Sequence, residues 1–132
     1  MRVWLALAVL VVPLTAGASA ARFVDYLYVE ANEGGSSGGH VAIRFADETY
    51  HFQHESPGLL HLRRDAWADF RHRYGGLENR TIHVSRVAVP AGDFRRLRMR
   101  FNDRYLRERK LFAYRDALAD DRALLELLLA LR

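Results

Sequence analysis

Two histidines and a glutamine lie on neighbouring segments that could place them side by side. His40 begins the apolar segment 40–45, directly after a glycine-rich stretch. His51 and Gln53 lie on the next segment, 49–54. An imidazole that a hydrogen-bonding neighbour holds in one tautomer can act as a general base. We therefore take His40 as the base of a candidate catalytic site, with His51 and Gln53 as the two candidates for orienting it.

The two segments have the pattern of a β-hairpin with a tight turn. If residues 47–48 form a two-residue turn, Phe45 pairs with Tyr50. Side chains alternate along a strand, so His40 then shares one sheet face with His51 and Gln53. Gln53 is the nearer diagonal neighbour of His40 in this register. A longer turn would change the pairing, so both partners stay open.

The rest of the chain predicts an α+β fold, with an antiparallel sheet of about four to five strands and C-terminal helices. Glycine-bounded or turn-bounded runs rich in β-branched and aromatic residues predict the strands. The predicted strands are 23–30, 40–45, 49–54, 58–63 and 79–89.

Three local features refine this order of elements. Asp65 is expected to cap a short helix that stops at Gly75 and Gly76. A change in apolar parity predicts a bulge near Ser85 and Arg86. A basic helix is expected to start at Pro90, and a final helix to run from about residue 114 to residue 131.

The first twenty residues have the form of a secretory signal peptide. One early cation precedes the apolar run 3–12, and small residues follow at 18–20. That run is shorter than the roughly 20 residues needed to span a bilayer. Residues 21–132 then suffice for one domain, whole or incomplete. The Ala, Leu and Arg richness is typical of bacteria, so we expect the periplasm or outer cell envelope.

Charge and metal-ligand spacing restrict the partners. Lys and Arg number 20 against 16 Asp and Glu, and much of the excess lies in the amphipathic helix near 95–110. The charged face of that helix either is solvated or contacts an anionic membrane surface or the cell wall. The leader disfavours nucleic acid. His51 and His54 point to opposite faces of one strand, so no metal site, and no other cofactor, is expected.

The stretch SSGGHVAIRFADETYHFQ, residues 36–53, resembles the histidine-bearing hairpin of the circularly permuted papain-like superfamily. More narrowly, GGH followed by an apolar stretch with Arg44 is similar to the N-terminal periplasmic domain of Lnb-type lipoprotein N-acyltransferases. The resemblance covers roughly residues 23–54. It implies a papain-like half-domain in which His40 is the general base, His51 or Gln53 orients it, and a cysteine further along is the nucleophile.

This sequence contains no cysteine, although the thiolate is the group that accepts the acyl chain in such chemistry. Two interpretations remain. Either the cysteine of a lipoprotein N-acyltransferase or thiol peptidase lies beyond Arg132, or the domain is a non-catalytic envelope module that binds a lipoprotein, lipid or peptidoglycan partner. The leucine-rich stretch 124–131 leaves almost no polar helix face, which predicts either a missing partner or an ordinary C-terminal helix buried in the core.

Overall fold

The computed structural model describes residues 21–31, 38–55 and 58–131. The predicted signal peptide, residues 1–20, lies outside this part of the chain. The elements in chain order are β1 (Arg22–Val29), β2 (His40–Phe45), β3 (Glu48–Glu55), β4 (Leu59–Ala66), α1 (Trp67–Arg71), a π-helical turn (His72–Leu77), β5 (Ile82–Val89) and α2 (Ala91–Ala130).

The strands form one antiparallel sheet of five strands in the order β4-β3-β2-β1-β5. The α+β class and the antiparallel sheet are therefore confirmed. β2, β3 and β4 follow one another through short connections, while β5 returns after the helical turn to pair with β1.

The β2–β3 hairpin turns one position earlier than predicted. Phe45 pairs with Glu48, so the turn consists of Ala46 and Asp47, with Ala46 at a φ of 56°. The partners on β3 are thus displaced by two residues from the predicted register. An even displacement leaves every side chain on its predicted face, since side chains alternate with period two.

One face of the sheet, which we call the site face, carries His40 and is covered by α1 and the π-helical turn. Leu27 and Val29 of β1 are fully buried there. Phe70 and Tyr74, one helical turn apart, pack onto them from the covering segment. This cluster fixes the helical segment over the end of β2 where His40 lies.

The first half of α2 covers the part of the opposite face around Phe45 and Tyr50. Phe45, Tyr50 and Leu62 are buried on this face, and Phe94 and Phe101 of α2 pack against them. The rings of Phe94 and Phe101 each lie 5.6 Å from that of Phe45, between ring centroids. Burial of these aromatic rings holds the long helix on the sheet.

The C-terminal region forms a single helix, where the sequence analysis predicted two. α2 runs for 40 residues without a break near residue 114, which corresponds to about 60 Å at 1.5 Å per residue. Its sequence contains no proline and no glycine after Gly92, so nothing in the covalent chain interrupts it. From residue 116 to residue 131 every described side chain is exposed.

The predicted bulge in β5 and the predicted helix cap are wrong. β5 pairs with β1 at eight consecutive positions in one register, through Ser85 and Arg86. Six of the residues of this edge strand are exposed, so burial does not enforce strict alternation there. Asp65 lies inside β4, and α1 begins without a side-chain cap.

Candidate functional site

Three side chains from three adjacent strands form a hydrogen-bonded chain. His40 Nε2 lies 2.9 Å from His51 Nδ1, and His51 Nε2 lies 2.9 Å from a carboxylate oxygen of Asp65. The side chain of His51 is 0% exposed and that of Asp65 is 11% exposed. We call this set of three residues the relay.

The charge of Asp65 determines which atoms carry the protons. Its pKa is lowered below the usual 3.8, mainly by the hydrogen bond from His51, so at neutral pH the carboxylate can only accept. His51 Nε2 therefore carries the hydrogen it donates, and in the neutral ring Nδ1 accepts from His40 Nε2. His40 Nδ1 is left as the nitrogen with the free lone pair, which is the atom a general base uses.

Strand register explains why these residues meet. Ala42 faces His51 across β2 and β3, so His51 is diagonal to His40. Thr49 faces Asp65 across β3 and β4, so Asp65 is diagonal to His51. Diagonal neighbours on one sheet face lie within reach of long or aromatic side chains. The relay therefore crosses three strands in two diagonal steps.

Aromatic rings enclose the relay from the side of the covering segment. The His40 ring stacks on Tyr74 with centroids 5.0 Å apart and planes at 21°. The His51 ring meets Phe70 edge-on at 5.1 Å and 75°. These contacts hold both imidazole planes and exclude water from His51, which strengthens the hydrogen bonds inside the relay.

Gln53, the second predicted partner of His40, binds elsewhere. Its carbonyl oxygen accepts a hydrogen bond from the Tyr74 hydroxyl at 3.1 Å. The structure thus brings His40 and His51 together, while Gln53 fixes the ring on which His40 stacks. The two-residue displacement of the hairpin accounts for this exchange of roles.

Burial and nearby positive charge keep His40 neutral. The pKa of His40 is lowered from 6.5 to about 4, mainly by desolvation, and the charge of Arg80 contributes to this lowering. Arg63 and Arg73 lie 3.8 Å and 3.7 Å from the Asp65 carboxylate, and they help to hold its pKa down. At neutral pH the relay therefore consists of a carboxylate and an unprotonated base.

Arg80 is a buried cation beside the site. Its side chain is 5% exposed and lies over the Tyr74 ring, 5.5 Å from the centroid. Nε donates to the carbonyl oxygen of Glu30, and Nη1 donates to Glu78. These bonds fix the guanidinium on the side of the covering segment, where its charge disfavours protonation of His40.

The backbone before His40 passes very close to β1. A Cβ atom at Gly39 would lie 2.5 Å from the Tyr28 ring and 2.6 Å from the carbonyl oxygen of Val29. A side chain there would push β2 away from β1, because the Val29 carbonyl belongs to the sheet backbone. Glycine at this position therefore lets His40 enter the sheet as its first residue.

Sequence reasoning missed Asp65, Tyr74 and Arg80. The signal for Asp65 was incomplete, since His61 and Arg63 alternate with leucines as in a strand but Arg64 interrupts the alternation before Asp65. It was interpreted as a helix cap instead. Tyr74 and Arg80 carry no comparable signal, because their positions depend on how the helical turn folds back over the sheet.

Within residues 21–31, 38–55 and 58–131, no group of three or more histidine, cysteine or acidic side chains could hold a metal ion. In that part of the chain, no helix combines the length and apolarity needed to cross a membrane. Comparison of the chain with protein-family models, with curated proteins and with solved structures returns no match.

Proposed function

We propose that this domain contributes the base and the orienting groups of an acyl-transfer or amide-hydrolysis site. The relay of His40, His51 and Asp65 carries the proposal. A carboxylate that orients one imidazole, which in turn orients a second, leaves His40 Nδ1 as the reacting nitrogen. That atom would take the proton of a nucleophile as it attacks an acyl carbon, and would return it to the leaving group.

The strength of the base indicates the kind of nucleophile. An imidazole with a pKa of about 4 is a weak proton acceptor, so it suits an acidic nucleophile better than an alcohol or water. A thiol, with an ordinary pKa near 8.5, loses its proton far more readily than an alcohol or water. The sequence contains no cysteine, so in this proposal the thiol comes from further polypeptide, a second protein or the substrate.

The proposed substrate is an acyl or amide compound of the bacterial cell envelope, such as a lipoprotein, a lipid or peptidoglycan. Two sequence features support this choice: the leader-like residues 1–20 and the resemblance of residues 36–53 to the Lnb-type hairpin. The same leader supports the periplasm or outer envelope as the location.

A thiol-rescue assay tests the proposal. The purified chain would be mixed with a p-nitrophenyl ester as acyl donor and with an added small thiol, and thioester formation would be followed against time. We expect the chain to accelerate thiol-dependent transfer, and His40→Ala to remove the acceleration. A positioned general base accelerates a reaction about 100-fold or more. Because the added thiol is not tethered in the site, we expect only part of this acceleration in the assay.

His83→Ala is the matched control, because the His83 side chain is 54% exposed and pairs with Glu30 at the surface. Equal rates for the His40→Ala and His83→Ala proteins would contradict a role for His40 as the base.

A second candidate is a binding module without catalysis, favoured by the absence of cysteine from the sequence. In that case His40 Nδ1 would accept a hydrogen bond from a bound envelope component. Direct binding of lipoprotein, lipid vesicles or peptidoglycan fragments that depends on His40, in a chain inactive in the thiol-rescue assay, would favour this candidate.

A further inference from the structure

The second half of α2 leaves a large apolar surface uncovered. We call residues 111–131 the leucine segment. Its leucines are 52 to 78% exposed, and they are Leu111, Leu118, Leu124, Leu125, Leu127, Leu128, Leu129 and Leu131. The segment is about 30 Å long, at 1.5 Å per residue. Exposed apolar surface on this scale marks an interaction site.

A second apolar surface lies on the sheet, on the face opposite the relay. Tyr26, Tyr28, Val41 and Phe52 are 37 to 49% exposed there, and we call them the sheet patch. Tyr26, Val41 and Phe52 border an almost wholly apolar cavity of about 160 Å³, which reaches Phe101 of α2. The first half of α2 covers only the other part of this face, around Phe45 and Tyr50.

The charges of α2 are divided between its two halves. Residues 91–110 contain eight cationic and three acidic side chains, a net charge of +5. The leucine segment contains two cationic and four acidic side chains, a net charge of −2. Two such helices lying antiparallel would bring each acidic half beside a basic half. Arg104, whose guanidinium lies 4.9 Å from the Phe52 ring centroid, places part of the basic charge at the rim of the sheet patch.

We propose that a second copy of this chain covers both surfaces. The two α2 helices pack antiparallel about a twofold axis near Phe112, and each leucine segment lies beside the basic half of the other helix and over the other sheet patch. A twofold arrangement requires one chain to carry both complementary surfaces, as this one does. The net negative charge of the leucine segment opposes the alternative, an anionic membrane, by like-charge repulsion.

Sedimentation equilibrium on the full chain tests the proposal, with Leu125→Asp as the variant. Leu125 is 60% exposed, so the substitution is expected to leave the fold of one copy intact, which circular dichroism would verify. The wild-type chain is expected to be a dimer at micromolar concentration. The variant should dissociate on the order of 100-fold more readily, because each substitution acts twice across the twofold axis.

Two further variants separate the docking surfaces from general surface effects. Leu77→Asp is the matched control, since Leu77 is 72% exposed but lies in the π-helical turn, outside both surfaces; it should dimerise like the wild type. Val41→Lys, in the sheet patch, should weaken the dimer as Leu125→Asp does. If Leu77→Asp weakened the dimer equally, or Val41→Lys left it unchanged, the proposal would be overturned.

The absence of cysteine from the chain allows the direction of packing to be measured. Chains with Arg95→Cys and chains with Ala130→Cys would be mixed and treated with a short bismaleimide. If the helices are antiparallel about a twofold axis near Phe112, the main product should join an Arg95→Cys chain to an Ala130→Cys chain. Three results would refute the proposal. The first is an Ala130→Cys chain that cross-links mainly to a second Ala130→Cys chain. The others are a chain that stays monomeric at about 100 micromolar, the upper range of weak specific association, and a leucine segment that binds neutral vesicles instead.

Discussion

Replacement of His40 by glutamine should change the pH dependence of folding stability in a defined direction. Burial lowers the pKa of His40 from 6.5 to about 4, so between these values the unfolded chain binds a proton that the native protein does not. The free energy of unfolding therefore rises as pH increases through this window. A pKa lowered from 6.5 to about 4 sets an upper limit of about 3 kcal/mol on the change between its two ends, and the true change is smaller because His40 is only partly buried and solvent screens its charge.

His40→Gln removes the titrating group but keeps an N–H donor that can reach His51 Nδ1. The free energy of unfolding of both proteins would be measured by urea denaturation at half-unit steps from pH 4 to pH 7, followed by far-ultraviolet circular dichroism. The difference in the free energy of unfolding, wild type minus variant, should increase by up to about 1.4 kcal/mol per pH unit. Asp65 titrates below 3.8 in the native protein, and since both proteins contain it, its contribution largely cancels in the difference.

His83→Gln, which changes an exposed surface histidine, should retain the full rise because His40 is intact. A difference between wild type and His40→Gln that stays constant from pH 4 to pH 7 would refute the reasoning. It would mean that the imidazole is solvated in the native state, and that the aromatic enclosure does not desolvate it.

Single substitutions test the other contacts. Asp65→Asn should cost about 1 kcal/mol and alter the imidazole nitrogen chemical shifts; unchanged shifts would argue against the assigned tautomers. Gly39→Ala should lower thermal stability by about 1–3 kcal/mol, since its Cβ would lie 2.6 Å from a sheet carbonyl and closer still to Tyr28; an unchanged melting temperature would contradict the close approach. Asp25, 3% exposed, accepts hydrogen bonds from Arg44 and a second arginine, so Asp25→Ala should cost about 3 kcal/mol in urea unfolding, whereas a cost below about 1 kcal/mol would show that the ion cluster contributes little.

Much of the site was predictable because strand alternation is a local property. The period of two placed His51 and Gln53 on one face, and the assumption of a two-residue turn placed His40 on the same face. The choice between His51 and Gln53 depended on the turn, and the turn lies at Ala46 and Asp47 only because Ala46 adopts a left-handed backbone conformation. Because the pairing partners on β3 are displaced by two residues, the side chains stay on the predicted face, but His51 replaces Gln53 as the diagonal neighbour of His40.

The prediction for Asp65 failed for a different reason. An aspartate just before a helical pattern is a good cap, and the short-range sequence favours that interpretation. In the structure β4 continues to Ala66, and the backbone N–H of Trp67 donates to the carbonyl oxygen of Asp47 in the hairpin turn. A contact between segments twenty residues apart thus keeps Asp65 in the strand, where it reaches His51.

The amino-acid sequence alone was enough to predict the α+β class, an antiparallel sheet of about four to five strands, the β2–β3 hairpin, and the amphipathic pattern with which the first half of α2 packs on the sheet. Each of these follows from hydrophobic periodicity and turn residues, which act over a few positions. The relay partners, the enclosure of His40 by Tyr74 and Arg80, and the lowered pKa of its imidazole became visible only in the folded structure. These depend on the register of three strands and on a helical turn folding over them, and long-range packing sets both.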